Sequence, residues 1–321
     1  MIDTAIDEVA PGAAIAQRPG GPAAPKRRSH GRNRAWWALL FIGPAGLGLL
    51  VFYIWPIARG IYLSFQKVGP FGGETFAGLD NFITVFQEPD LGRALVNTLL
   101  YAGIALLGIP IAMVVAVLLN TRGLRFRGLF RVLFFIPVVT MPVAVALVWR
   151  LLLNVDYGVV NLTLGAVGLP GLAWLSTPWV NIVILAVIGI WMALGTQIII
   201  LTAGLQGIPE SLLEAAELDG AGPIRRFWSV IAPLLSPTTF LLCVLSVIAS
   251  MQVFDLVYLM IDRISNPAFA QSKTLVYLFF EKGFIQHDLG AAAAIACILL
   301  LIILGLSAVQ FWLQRKWVHY E

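Results

Sequence analysis

The sequence predicts an all-α integral membrane protein with six transmembrane helices and both termini in the cytoplasm. Composition is the first reason. Of 321 residues, 59% are hydrophobic and 12% charged, and the mean hydropathy is +0.88. A soluble domain carries about 25% charged residues, so most of this chain needs lipid around it. The second reason is span length. Six apolar stretches, about 36–58, 94–119, 130–153, 179–204, 237–261 and 289–313, reach the roughly 20 residues that a helix needs to cross the hydrocarbon core. The third is charge placement. Residues 1–35, the 120–131 loop, the 205–236 loop and the C-terminal end hold 14 of the 21 Lys and Arg, which puts those segments inside the cell.

Residues 1–35 are rich in Pro, Gly, Ala and Arg without apolar periodicity, and read as a disordered cytoplasmic tail. The membrane domain follows, over 36–321. Its first apolar run is too long for a signal-peptide core and no small-residue cleavage site follows it, so it reads as a retained span. Lys26, Arg27, Arg28, Arg32 and Arg34 precede it, and Arg122, Arg125, Arg127 and Arg131 fill the first inside loop. The third span contains Pro137 and Pro142, which kink a membrane helix without having to end it. Trp36, Trp37, Trp55, Trp149, Trp179 and Trp312 fall near span ends, where indoles anchor at the headgroups. Cys243 and Cys297 both lie in apolar runs and read as small buried hydrophobes.

Between the fourth and fifth spans the composition changes. Residues 214–226 carry Glu214, Glu217, Asp219, Arg225 and Arg226. Pro209 suits a helix start, and Glu210 then meets the positive end of that helix. Residues 210–218 read as a short helix that stops at Gly220, because glycine accepts the left-handed conformation. Gly222-Pro223 can start a second helix running to Pro233. The result is a helix–turn–helix with a small-residue patch at Ala215 and Ala216. On physics alone a solvated, charged loop is an equal reading.

The order of these residues resembles the cytoplasmic "EAA" loop of binding-protein-dependent ABC importer permeases: Glu214-Ala215-Ala216, Gly220, then Val230-Ile231-Ala232-Pro233. Val230 and Ala232 stand where the usual ending has Ile and Leu. Leu205-Gln206-Gly207-Ile208-Pro209 and Asp219-Gly220-Ala221 are similar to the carbohydrate-uptake branch, of MalF/UgpA type. So are Gly78-Leu79-Asp80-Asn81-Phe82, Asn97-Thr98, Phe134-Phe135-Ile136-Pro137, Tyr157-Gly158-Val159-Val160-Asn161 and Val318-His319-Tyr320. After the fifth span many relatives have Gly-Gly-Pro where this chain has Ile264-Ser265-Asn266-Pro267-Ala268, which leaves the receptor and the solute open.

The resemblance implies a type I ABC importer permease in a bacterial inner membrane. It implies a second permease subunit, two ATPase subunits that carry ATP and Mg, and an extracytoplasmic solute-binding protein. The 208–233 element would couple to the ATPases through Glu214, Ala215, Ala216, Asp219, Gly220 and Pro233. Trp191, mid-span, lies 23 residues before Glu214, where the maltose-type relative places a sugar-contacting Trp. The polar neighbour that relative has two residues earlier is Gly189 here. Ser246 is near a position of that relative's solute site.

From the residues themselves, Ser246 and Ser250 share a helix face. Gln197 follows Trp191 on the fourth span, and Gln252 and Asp255 lie farther toward the outside. An ionisable group in a span is a functional candidate, although Asp255 is equally placed for solvation at the interface. Serines and mid-span aromatics also serve plain packing. These six residues are the expected solute pathway. No Lys or Arg lies deep in a span, Arg150 being near an end, which favours a neutral solute: a sugar, oligosaccharide or polyol. Glycerol-3-phosphate or a glycerophosphodiester is the alternative.

Other classes have less support. No GxxxxGK[ST] phosphate loop occurs, so ATP hydrolysis is expected on partner subunits. No HExxH, CxxC or paired carboxylates suit a metal site or a membrane enzyme, and His30, His287 and His319 lie apart, outside the spans. A secondary transporter would show inverted repeats and midplane ionisable groups; no repeat pair is visible, and charge within the spans is sparse. Nothing points to nucleic acid.

Overall fold

A computed structural model describes residues 31–69, 72–121, 123–261 and 266–318, with side chains from residue 40 onward. The expected tail up to residue 30, Arg122, Ile264-Ser265 and His319-Tyr320 lie outside the described residues. Residues 31–35, expected in the tail, are helical. The chain divides into two units, Met1–Trp55 and Pro56–Glu321.

In the first unit, α1 (Gly31–Leu49) runs into a π turn at Leu50–Ile54. Leu40, Phe41, Ile42, Leu47, Leu50, Phe52 and Tyr53 are all exposed on it. A helix that is apolar all round has lipid or another apolar surface as its solvent.

The second unit opens at Pro56, the second residue of α2 (Trp55–Ser64), and continues with a hairpin of β1 (Gln66–Val68) and β2 (Glu74–Phe76), paired antiparallel with Gln66 opposite Phe76. This hairpin is a small departure from the all-α expectation. The chain continues through α3 (Asp80–Gln87), α4 (Pro89–Leu106) and α5 (Gly108–Asn120). Next come α6 (Arg127–Val139), α7 (Pro142–Leu152), α8 (Val159–Ala166) and α9 (Val180–Gln206). The short helices α10 (Glu210–Leu218), α11 (Pro223–Arg226) and α12 (Ala232–Leu234) precede α13 (Ser236–Met251) and α14 (Asp255–Met260). The chain closes with α15 (Leu275–Phe280) and α16 (Leu289–Trp317).

Among the described residues, Leu40–Ser64, Pro89–Asn120, Val180–Gln206 and Leu289–Trp317 are long and apolar enough to cross a membrane. Two bent pairs bring the count to as many as six. One pair corrects the third expected span. α6 and α7 meet at 103°, so 130–153 is not one kinked helix. Pro142 explains the break: it holds Met141 extended (ψ 133°) and offers no N–H to continue the helix.

The fifth expected span, 237–261, is also broken. α13 ends at Met251, and Gln252-Val253-Phe254 separate it from α14. The Thr274 hydroxyl donates to the Val253 carbonyl at 3.1 Å, so a loop residue satisfies backbone that a continuous helix would have satisfied itself. At its other end α13 meets the 223–234 helix at 70°.

Four apolar clusters pack within the second unit, the smallest of them Ala102, Val247 and Met251 between α4 and α13. Tyr101, Val145, Ile182, Leu185, Leu256 and Met260 join α4, α7, α9 and α14. Ile109, Ala112, Ile198, Leu201, Leu235 and Leu242 join α5, α9 and α13. Val85, Leu91, Leu275 and Ala291 join α3, α4, α15 and α16. Lipid is as apolar as these side chains, so close fit and hydrogen bonds, rather than burial alone, decide such packing.

Candidate functional site

Two regions collect the residues singled out from the sequence. The first is the helix–turn–helix between α9 and α13. Pro209 is the N-cap of α10, one residue before the helix starts. Gly220 has φ +74°, the left-handed conformation expected of it. The Ala221 N–H donates to the Ala216 carbonyl at 2.9 Å, and the Gly220 N–H to Glu217 at 3.0 Å. This paired closure is a Schellman motif, and it satisfies carbonyls that the helix end would leave bare.

Past the turn, α11, a π turn at Phe227–Ile231 and α12 run on as one helical arm. The π turn ends just before Pro233, whose ring nitrogen cannot donate to the preceding turn. Arg226 reaches Glu217 across the turn at 3.2 Å. With Glu217 75% exposed, this pair contributes at most about 1 kcal/mol.

Leu213 and Phe227 pack on the α5–α9–α13 cluster and fasten the element to the bundle. The opposite surface is open. Glu214, Ala215, Asp219 and Gly220 are exposed, and Glu214 has no partner among the described residues. Leu218 is 90%, Ile224 77% and Trp228 69% exposed. These three large apolar side chains were not singled out from the sequence, where the charges around them masked the pattern.

The second region is a cleft of about 280 Å³ between α4, α9 and α13. Of the expected pathway residues it brings together Gln197, Ser246 and Ser250. Gln197 Nε2 donates to Ser246 Oγ at 3.4 Å, while Gln197 Oε1 is buried without a partner. Tyr101 and Thr196 also line the cleft and were missed, because a lone Tyr or Thr in an apolar run carries no distinguishing spacing. The remaining walls are apolar, including Ile190, Leu242 and Leu245. Among the described residues, no charged side chain lines it.

Three expected pathway residues stand elsewhere. Trp191 is two residues from the cleft-lining Ala193, and in a helix of 3.6 residues per turn that places it on nearly the opposite face. There it is 36% exposed and its ring meets Trp149 edge-on at 6.0 Å. Gln252 and Asp255 are exposed at the break after α13. They fall outside the cleft because the chain turns there instead of continuing as a helix.

A third arrangement was not legible as a site. The segment 266–288 is bolted onto α4. Lys273 Nζ lies 3.0 Å from Asp90 and 2.6 Å from Glu281, and Lys282 lies 2.5 Å from Glu88. Burial opposes the Lys273 charge, but hydrogen bonds and attraction from Glu281 and Asp90 outweigh it and hold the ammonium above its usual pKa. Asn97 Nδ2 donates to the carbonyls of Gln271 (2.8 Å) and Lys273 (2.9 Å), and Thr98 Oγ1 accepts from the Leu275 N–H at 3.0 Å. Asn81 clamps Ser64 and Gln66 in the same way, and Asn161 clamps Val155 and Leu172. The asparagine in each of these three motifs is therefore a clamp on backbone carbonyls outside its own helix.

Apolar helices around an uncharged polar cleft, with an exposed helix–turn–helix fastened to the bundle, define a subunit of a membrane transport system. The chain belongs to the family described as binding-protein-dependent transport system inner membrane component, whose model matches residues 108–319. It is accordingly a permease subunit of an ABC importer. Over 295 residues it is 31% identical to the sn-glycerol-3-phosphate transport system permease protein UgpA of Yersinia pestis bv. Antiqua (strain Antiqua), covering 91% of this chain and 98% of that protein. The protein of the same name from Rhizobium meliloti (strain 1021) is 34% identical over 290 residues, covering 88% and 95%. In the crystal structure of a bacterial alginate ABC transporter in complex with alginate pentasaccharide-bound periplasmic protein, one chain is 23% identical. It matches with a TM-score of 0.78 over 88% of this chain and 96% of that one. That likeness shows the shared fold, the type I ABC permease fold.

Proposed function

We propose that this permease moves an uncharged, hydroxylated solute, a sugar, oligosaccharide or polyol, across a bacterial inner membrane. The observation that carries this is the cleft between α4, α9 and α13. Its polar groups are hydroxyls and a carboxamide, with no charge among them. A bare anion buried against these walls would have no counter-charge to offset its desolvation. Gln197, Ser246 and Ser250 form one wall of the pathway. Trp191 contributes from the face it shares with Trp149, and Gln252 and Asp255 stand at the outer mouth.

In this reading six spans, counting each bent pair as one, leave both termini in the cytoplasm. A second permease completes the pathway. Two ATPase subunits, holding ATP and Mg, dock on the 208–233 element, and an extracytoplasmic binding protein delivers the solute. The exposed Glu214 and Ala215 and the half-buried Ala216, with Leu218, Ile224 and Trp228 beside them, support the docking assignment. Asp219 and Gly220 form the turn, and Pro233 sits in the arm that leads into α13.

The names of the UgpA relatives favour a second reading, glycerol-3-phosphate as solute. The assembled transporter separates the two. Uptake of labelled saccharide, competed by unlabelled neutral sugars and not by glycerol-3-phosphate, is expected. Competition by glycerol-3-phosphate alone would overturn the neutral assignment.

A further inference from the structure

Tyr101 reaches the cleft from α4 and is 6% exposed. A Cβ built at Gly189, on the facing side of α9, would lie 2.2 Å from the Tyr101 hydroxyl oxygen and 3.1 Å from its Cζ. No side chain fits at 189 while the phenol is there. The phenol oxygen occupies the position from which a residue on α9 would have pointed into the cleft.

That hydroxyl has no hydrogen-bond partner among the described residues. The oxygen is open to the cleft that Tyr101 lines, where a solute can be the partner a tyrosine O–H ordinarily finds. In the same cleft Gln197, 5% exposed, spends its Nε2 on Ser246 and leaves Oε1 unpaired. Beside the Thr196, Ser246 and Ser250 hydroxyls, the cleft thus offers the unpaired phenol O–H as a donor and one acceptor-only atom, the carboxamide oxygen. A solute hydroxyl satisfies both kinds of group, since it accepts from Tyr101 or donates to Gln197. A phosphate or carboxylate oxygen can only accept, and it would be repelled by Gln197 Oε1. The volume, about 280 Å³, falls just below the roughly 300–1,000 Å³ of pockets for drug-sized ligands, so it takes one part of a solute and not a whole oligosaccharide.

We infer that Tyr101 is a specificity-determining residue of this transporter. Seated in place of a side chain at position 189, it pairs with Gln197 to hydrogen-bond an uncharged, hydroxyl-bearing part of the solute. The inference rests on the proposed pathway and adds to it a residue from α4.

The test uses the complete transporter in proteoliposomes, with both permeases, the ATPase subunits and the binding protein. Labelled maltose, trehalose, sorbitol and sn-glycerol-3-phosphate are the probes. Tyr101→Phe keeps the ring and removes only the hydroxyl. It is expected to lower uptake of the neutral solute about tenfold at equal assembly, the loss of one hydrogen bond. Gly189→Ser alone is expected to block uptake, because its Cβ meets the phenol. Gly189→Ser with Tyr101→Ala returns a hydroxyl from α9 and recovers part of the activity.

Unchanged uptake by Tyr101→Phe overturns the inference. Wild-type uptake of glycerol-3-phosphate alone, or of none of the four probes, overturns the uncharged class. A solute-free arm isolates the pathway itself: Ser246→Cys, in a Cys243→Ser, Cys297→Ser background, is treated with a water-soluble methanethiosulfonate. Modification of that cysteine together with unchanged uptake by Tyr101→Phe is a failure of the Tyr101 inference alone. No modification is a failure of the pathway beneath it.

Discussion

The Lys273 ammonium lies 2.6 Å from a carboxylate oxygen of Glu281, and both side chains are only 10% exposed. With Asp90 at 3.0 Å, the lysine joins the segment after α14 to the start of α4. Removing one partner of a buried pair costs about 3–5 kcal/mol, because the other charge stays buried and uncompensated. Glu281→Gln is therefore expected to lower the thermal midpoint of the purified complex, with Asp90→Asn, at a more exposed position, having a smaller effect. The pH dependence follows from the sign of the shift. A lysine whose folded pKa is raised contributes fully below its unfolded value, about 10.4, and the contribution is lost as pH rises through the folded value. Thermal scans between pH 6 and 9 are expected to show no slope attributable to Lys273.

Glu214 is exposed on α10 and has no partner among the described residues, in contrast to Glu217, which meets Arg226. If Glu214 pairs with a basic residue of an ATPase subunit, reversing its charge breaks a desolvated contact worth roughly 2–5 kcal/mol. Glu214→Lys is expected to release the ATPase from the purified complex while the permease stays folded. Retention of the ATPase with normal uptake would leave Glu214 a solvated helix charge.

At Gly220 the obstacle to substitution is backbone conformation and not space. Nothing lies within 4 Å of a Cβ there, yet φ is +74°. Gly220→Val is expected to cost about 1–2 kcal/mol and to lose transport before membrane expression. Gly220→Asn, which tolerates the left-handed region better, retains more uptake. Equal uptake by the two variants would remove the turn from the mechanism.

Trp191 and Trp149 meet edge to face, a geometry worth about 0.5–1.5 kcal/mol beyond area burial. Trp149→Ala loses that packing, whereas Trp191→Ala loses packing and any solute contact. A several-fold loss of uptake in Trp191→Ala that exceeds the loss in Trp149→Ala, with ATPase assembly intact, marks Trp191 as a pathway residue. Equal losses return it to packing.

Ser246 stands between Gln197 and open space in the cleft. Ser246→Leu adds apolar volume there and leaves Gln197 Nε2 unpaired as well. It is expected to abolish uptake without releasing partner subunits, and unchanged transport kinetics would place Ser246 outside the pathway.

Long apolar runs made most helices legible. α9 and α16 begin at Val180 and Leu289, within a residue of expectation. α10 and the Gly220 turn were readable because a helix stop at glycine is a local matter of one backbone conformation. The breaks in the third and fifth spans were harder. Pro142 was visible, but the 103° between α6 and α7 is a tertiary angle, and at the break after Met251 the Val253 carbonyl is satisfied by Thr274, 21 residues on in sequence.

By itself the sequence determined that this chain lives in lipid, which segments are helical, and where a charged helix–turn–helix interrupts them. Those properties follow from transfer free energy and local backbone preference, which are summed residue by residue. The tertiary structure decided which polar side chains share one cavity. It turned Trp191 away from the cleft and brought in Tyr101, from a different helix. It also set the asparagines of the motifs on backbone carbonyls of other segments. The reason is that helix rotation and close approach are fixed by packing between elements. The fit of the Tyr101 phenol against Gly189 is one such contact, and 88 residues of chain separate the two.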